Sequence, residues 1–252
     1  MFDLQKASIL KRISAYLLDI IVFLILVTFI GALAAQAVGY EDQLTLHNAH
    51  YQKYYDEYGI KPNITQEEYN NLTEKEKSAY KAADEAIRKD REIIDSEIKL
   101  FNLFLVITAS SVFLAYLILE FLVPLFLHNG QTIGKKIFAI GLMRIDGVRI
   151  SAFQLFVRSI IGKCVIETLV PLMLLAMLVM GLMGMMSLIV IGLFLILQVV
   201  LFFASRTNSL IHDNLAVTVA VDLSTQVIFD SPEALLEAKK QAAAEKAQES
   251  TY

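Results

Sequence analysis

Asp19, Glu120, Glu167 and Gln198 each stand inside a run of apolar residues, where a carboxylate or amide needs a partner. A charged side chain at the centre of a membrane helix costs roughly 2.5–3.5 kcal/mol on insertion scales, so each acid requires a cation, a hydrogen-bond network or water. Arg12 precedes Asp19 by seven residues and Lys163 precedes Glu167 by four, spacings that put each pair on one helix face. If the apolar runs have their edges near Arg12, Leu127, Ile160 and Ala204, the four polar residues share one layer about 10 Å deep. Arg158 and Asp213 then lie at its rim. Two arrangements satisfy these spacings. In one, a polar cavity lets Asp19, Glu120 and Glu167 bind or exchange a cation or proton, with Gln198 in its wall and Arg12 and Lys163 tuning the charge. In the other, a closed network of ion pairs fixes helix packing and moves nothing.

Other chemistry finds little support. No Ser-His-Asp constellation and no His-Glu-x-x-His helix is present, and His47, His50, His128 and His212 are scattered among loops and interfaces. The expectation is a protein with no catalytic residues, no cofactor and no metal. Cys164, the only cysteine, excludes an intramolecular disulfide and a multi-cysteine metal site. Gly130-Gln131-Thr132-Ile133-Gly134-Lys135-Lys136 superficially suggests a phosphate loop. A P-loop needs four residues between its glycines and Ser or Thr after the lysine, and here there are three, then Lys136. The segment is expected to be a turn whose lysines reach lipid headgroups. No block is basic enough to suggest nucleic-acid binding, and the formal charge of -4 hides opposite local charges.

The elements that must position these residues are membrane helices. Hydrophobic residues make up 56% of the 252 and mean hydropathy is +0.55, above the level of soluble domains. Span one fills most of residues 1–40, running from Tyr16 to about Val38 after Lys6, Lys11 and Arg12. Its Ala35-Gln36-Ala37 also has the form of a signal-peptide cleavage site, but the run is long for one. Span two covers 101–127. The tract 160–204 is too long for one crossing of about 30 Å and divides into two antiparallel spans at Gly181–Gly184. The expected fold is an all-α polytopic protein with a four-helix transmembrane bundle.

Lys135, Lys136, Arg144, Arg149, Arg158 and Lys163 mark the loop 128–159 as cytoplasmic, and Lys6, Lys11 and Arg12 place the N-terminus on the same side. Parity brings the C-terminus there as well. Within this loop Asp146-Gly147 predicts a two-residue type I′ turn between Ile140–Arg144 and 148–150. Val217, Val219 and Val221, in the closing segment 205–230, alternate as a strand expected to join that hairpin in a small sheet. The acidic segment 41–100 is expected outside, as a helical insertion. Thr65 with Glu68 and Thr73 with Glu76 form capping boxes there, the second opening a helix that runs unbroken from Glu74 to Lys99 and into span two. Ala79, Ala83, Ile87, Ile94 and Ile98 form its apolar stripe, on which Tyr51, Tyr54, Tyr55 and Tyr58 could pack. Asn63-Ile64-Thr65 and Asn71-Leu72-Thr73 match a glycosylation sequon, a weak signal. The polar tail 231–252 is expected to be a frayed helix or disordered.

Three separated segments resemble the RDD family of membrane proteins, named for one arginine and two aspartates. Arg12 and Asp19 stand at the start of helix one. Gly130, Thr132, Gly134 and Lys135, followed by Arg158, are similar to the family's Gly-x-Thr-x-Gly-Lys loop and downstream arginine. His212-Asp213-Asn214-Leu215-Ala216 resembles the closing segment, with Asn214 where leucine is frequent and Asp213 as the second aspartate. The resemblance covers roughly 9–38 and 101–222. It implies a membrane domain, with transport of an unidentified ligand as the usual suggestion. The expected function is movement of a small solute or ion through a cytoplasm-facing polar cavity in a bacterial cell membrane. The competing expectation is a scaffold or regulatory subunit that holds a protein partner, or a second copy, through the insertion or the sheet.

Overall fold

The computed structural model describes residues 4–127, 129–205 and 207–249; His128 and the last three residues of the tail lie outside them. In chain order the elements are α1 (Ile9–Ala37), α2 (Tyr40–Tyr58), α3 (Gln66–Asn70), α4 (Glu74–Lys89), α5 (Arg91–Tyr116), the π-helical segment π1 (Leu117–Leu122) and α6 (Val123–Phe126). They continue with α7 (Ile133–Ile137), β1 (Ile140–Arg144), α8 (Ala152–Phe156), the π-helical segment π2 (Val157–Leu169), α9 (Val170–Val179), α10 (Met185–Ala204), α11 (Ile211–Leu215), β2 (Thr218–Asp222) and α12 (Pro232–Glu249).

Four stretches are long and apolar enough to cross a bilayer: Ile9–Ala37, Arg91–Phe126, Ala152–Val179 and Met185–Ala204. Leu10 and Phe203, 76% and 73% exposed within the protein, are typical of their outward faces, which lipid must cover. The chain is an all-α polytopic membrane protein with a small antiparallel sheet. The helix that carries span two starts at Arg91, upstream of Phe101, and the one that carries span three starts at Ala152, upstream of Ile160. A capping box explains the second shift: Ser151 Oγ accepts from the Gln154 N–H, and the Gln154 side chain accepts from the Ser151 N–H. Between α9 and α10 the chain reverses through Gly181 and Gly184, at φ +70° and +50°.

Thr28–Ser111 forms one compact unit, and the described residues before and after it form the other. In the first, both expected capping boxes are present, at Thr65 with Glu68 and Thr73 with Glu76. The helix predicted from Glu74 to Lys99 is broken at Asp90, whose backbone is extended and whose carboxylate accepts from the Glu92 N–H. Asp90 thus ends α4 and caps α5. Its other oxygen accepts from the Tyr54 hydroxyl at 2.6 Å, which ties α2 to the break. The break also shifts the helical phase. Ile93 is buried together with Ala83, whereas Ile94 and Ile98 of the predicted stripe are exposed.

In the second unit β1 and β2 pair antiparallel, with Ile140 opposite Asp222 and Arg144 opposite Thr218. Ile140, Leu142 and Ala220 pack with Ala7 and Ala15, while Met143, Val219 and Val221 form a second cluster, the alternation a strand imposes. The expected hairpin is only partly formed. Gly147 N–H donates to the Arg144 carbonyl and Arg144 N–H to that of Val148, and in this turn only Gly147 has positive φ. That is a three-residue loop with glycine at its left-handed position, not a type I′ turn. Beyond it Arg149 makes one isolated antiparallel bridge to Met143, as the hairpin requires, while Val148 bridges in parallel to Phe229, so 148–150 pairs without forming a ladder strand. Val217 lies outside β2 at φ +56°, in the turn that leaves α11, and is exposed. Lys6 bridges to Val221, which brings the N-terminal segment to the free edge of β2.

Candidate solute cavity

Asp19 is met by the loop that follows span two. Its Oδ2 accepts from the Thr132 hydroxyl at 2.5 Å and its Oδ1 from the Gly134 N–H at 2.8 Å. Thr132 also caps α7, accepting from the Lys135 N–H. Gly134 is required by proximity: a Cβ there would run into the Ala15 carbonyl and the Asp19 carboxylate. Gly130, at φ +60°, makes the preceding turn close to Leu142. The segment expected to hold its lysines at the headgroups instead packs on α1. Lys136 is exposed, but the Lys135 ammonium is buried and meets no hydrogen-bond acceptor among the described residues. Burial, with Lys163 and Arg158 nearby, pushes its pKa down to about 7, against the pull of Glu120 and Asp19.

Glu120 lies in π1, and Arg158, Lys163 and Glu167 in π2. Each widened segment ends two residues before a proline, Pro124 or Pro171. A proline has no N–H and its ring crowds the carbonyl four residues earlier, here that of Glu120 and of Glu167. The backbone responds with longer bonds: Val123 N–H donates to Ile118 and Val170 N–H to Val165, each five residues back. The Glu120 carbonyl so released accepts from the Ser159 hydroxyl at 2.6 Å, a repair membrane helices need because lipid offers none. The sequence signal is the repeated Glu-x-Leu-Val-Pro at 120–124 and 167–171, which the reading of apolar runs passed over.

Helix spacing put Arg12 with Asp19 and Lys163 with Glu167 on shared faces, and the partners these groups take come from other elements. Lys163 Nζ lies 2.7 Å from Glu120 Oε2. Glu167 accepts from His212, at its backbone N–H (2.9 Å) and at Nδ1 (2.8 Å). Burial pushes the His212 pKa below its ordinary value, against the pull of Asp213 and Glu167. Gly162 allows this approach, since a Cβ there would collide with His212. Arg158 and Asp213, expected at the rim, are buried at 3% and 1% exposure. Both Nε and Nη2 of Arg158 donate to Asp213 Oδ1, at 2.9 and 2.7 Å. Burial alone would raise the Asp213 pKa, but Arg158, His212 and Arg12 hold it well below the usual carboxylate range. Arg12 makes a longer 3.7 Å contact with Asp213 Oδ2 and lies over the Phe202 ring. α11 thus carries two adjacent residues that clamp π2, which is why Asp213 is drawn inward.

These groups line one cavity of about 460 Å³. Asp19, Glu120, Lys163, Glu167 and Gln198 all border it, together with Arg12, Lys135, Arg158, His212 and Asp213. Gln198 Oε1 accepts from the Ile211 N–H at 3.2 Å and so also anchors α11. Gly130, Thr132 and Gly134 do not border the cavity; they place the loop that brings Lys135 to it. Tyr116 and Thr168, joined at 2.8 Å, border it as well and carried no signal in the sequence beyond lying one helical turn from Glu120 or next to Glu167. Among the described residues no cluster of His, Cys, Asp and Glu is placed to hold a metal ion.

The RDD family profile matches residues 6–217, a range that includes the 41–100 insertion. Comparison with curated proteins and with solved structures gives no match. The matched range spans well over half of the chain and contains Arg12, Asp19, the 130–135 loop, Arg158 and Asp213, and the chain belongs to the RDD family.

Proposed function

We propose that the protein moves a small solute or ion through the cavity that its four spans and the loop 129–139 enclose. The observation that carries this reading is the space itself. A closed ion-pair network would fill its own volume, whereas about 460 Å³ remain beside the acidic, basic, histidine and amide side chains that line it. The basic residues of 1–12 and 129–163 favour a cytoplasmic position for both termini and an extracytoplasmic 41–100. In this orientation the cavity borders the cytoplasmic leaflet of the cell membrane.

The test is flux into liposomes that contain the purified protein, with Na⁺, K⁺, H⁺ and Cl⁻ each driven separately and with Asp19→Asn and Glu120→Gln variants that remain folded. Flux in the wild type that falls in the variants supports the proposal. No flux above that of empty liposomes for any ion or pH, nor for small carboxylates and phosphates, contradicts it.

A further inference from the structure

The least satisfied hydrogen-bonding group that borders the cavity is a cation. Four carboxylates (Asp19, Glu120, Glu167, Asp213) and four cations (Arg12, Lys135, Arg158, Lys163) border it, so the formal charges balance. Their bonds do not balance. Asp19 and Glu167 each use both oxygens, Asp213 has its Oδ1 doubly bonded by Arg158, and Glu120 is held by Lys163. A cation entering at Asp19 or Glu167 would have to displace these donors, and at Glu120 Oε1 or Asp213 Oδ2 it would meet a carboxylate already paired with Lys163 or Arg158. By contrast, among the described residues the buried Lys135 ammonium has three donors and no acceptor, and the Arg12 guanidinium, which lies over the Phe202 ring, comes no nearer to a carboxylate than its 3.7 Å contact with Asp213. A buried donor left unsatisfied is costly, and an incoming acceptor removes that cost.

The rest of the wall is apolar, with Ile13, Phe23, Phe194, Leu195 and Phe202 bordering the same space. We infer that the cavity binds an amphipathic anion, a carboxylate or phosphate group on an apolar body, with the Lys135 ammonium as principal contact and the Arg12 guanidinium as second donor. The volume suits a ligand of this kind, at the lower end of the range for small-molecule sites. Lys136, the exposed neighbour, has no such role. The inference rests on the cavity proposed above as a solute site and names what the cavity recognises. The same chemistry is available from a free amphiphile or from an anionic lipid of the surrounding bilayer.

The experiment is a binding titration that needs no flux. Protein in a neutral maltoside detergent is titrated calorimetrically with decyl phosphate, with phosphatidylglycerol and with decyltrimethylammonium, using wild type, Lys135→Gln and Lys136→Gln. Saturable binding of either anion, weakened about tenfold or more by Lys135→Gln and unchanged by Lys136→Gln, is expected. Binding of decyl phosphate alone assigns a free amphiphile, and binding of phosphatidylglycerol assigns the bilayer lipid. Should Lys135→Gln fail to fold, the preference of the wild type for anion over ammonium still decides. Equal or tighter binding of decyltrimethylammonium, no anion binding, or full anion affinity in folded Lys135→Gln overturns the inference. Anion binding without flux would remove transport and leave the site, whereas cation flux without anion binding would do the reverse.

Discussion

Arg158 and Asp213, 55 residues apart in the chain, form a buried ion pair in which two guanidinium nitrogens share one carboxylate oxygen. The pair joins π2 to α11 and so fixes the cavity wall that carries His212. Removing one partner of a buried pair leaves the other charge uncompensated and costs about 3–5 kcal/mol. Arg158→Met or Asp213→Leu alone should therefore lower the unfolding temperature in detergent markedly. The double variant should recover much of the loss, because what it leaves unanswered are the long contacts of Arg12, His212 and Thr218 with Asp213, at 3.5–3.7 Å. A double variant no better than the worse single one would mean that the pair is not isolated in this way.

Gly134→Ala should cost about 1–3 kcal/mol, the scale of overpacking, since its Cβ would strike the Ala15 carbonyl and displace the loop from Asp19. Gly147→Ala places its Cβ in open space and meets only the strain of φ +95°, about 1 kcal/mol. Thermal unfolding of the two variants should rank them in that order.

Lys135 gives stability a pH dependence of known sign. Its pKa in the folded protein is about 7 against an ordinary 10.5, so the folded state disfavours the charged form. Between these values the unfolded chain holds the extra proton, and this residue's contribution to stability rises with pH. The contribution is complete above the ordinary value and is lost as pH falls towards 7. Lys163 and Arg158 add to the shift, and Glu120 and Asp19 oppose it. Unfolding profiles of wild type and Lys135→Met should diverge as pH falls from 10 to 7 and run parallel below. Anion binding should show the opposite trend, weakening as pH rises above 7 and the ammonium loses its proton.

Thr73→Ala removes one side of the capping box that opens α4 and should cost the insertion about 1 kcal/mol. The loss should appear as reduced helicity and faster amide exchange in α4.

The spans and capping boxes were legible because both are local. A run of about 20 apolar residues or a Thr-x-x-Glu spacing carries its physics in adjacent side chains. Asp90 was not legible as a break, because an aspartate within a polar helix is unremarkable until Tyr54 and the Glu92 N–H meet it. The acids of the cavity were visible as charges among apolar residues. Their partners were not, since spacing along one helix shows which residues share a face and not which side chain of another element they meet, and the π segments add about a residue per turn to that spacing. Lys135 was misread for a related reason: nothing in Gly-Lys-Lys says which lysine turns inward, a choice made by Thr132, Gly134 and Asp19.

The central claim is that the polar side chains of the four spans border an accessible cavity rather than one another alone. It is tested most directly by the reaction of a membrane-impermeant methanethiosulfonate with Thr168→Cys in a Cys164→Ser background, protein in lipid vesicles, with Leu197→Cys as the outward-facing control. Thr168 borders the cavity, while Leu197 is exposed on α10 away from it. The account predicts that Thr168→Cys reacts and Leu197→Cys does not. Equal inertness at both positions would show a sealed core and contradict it.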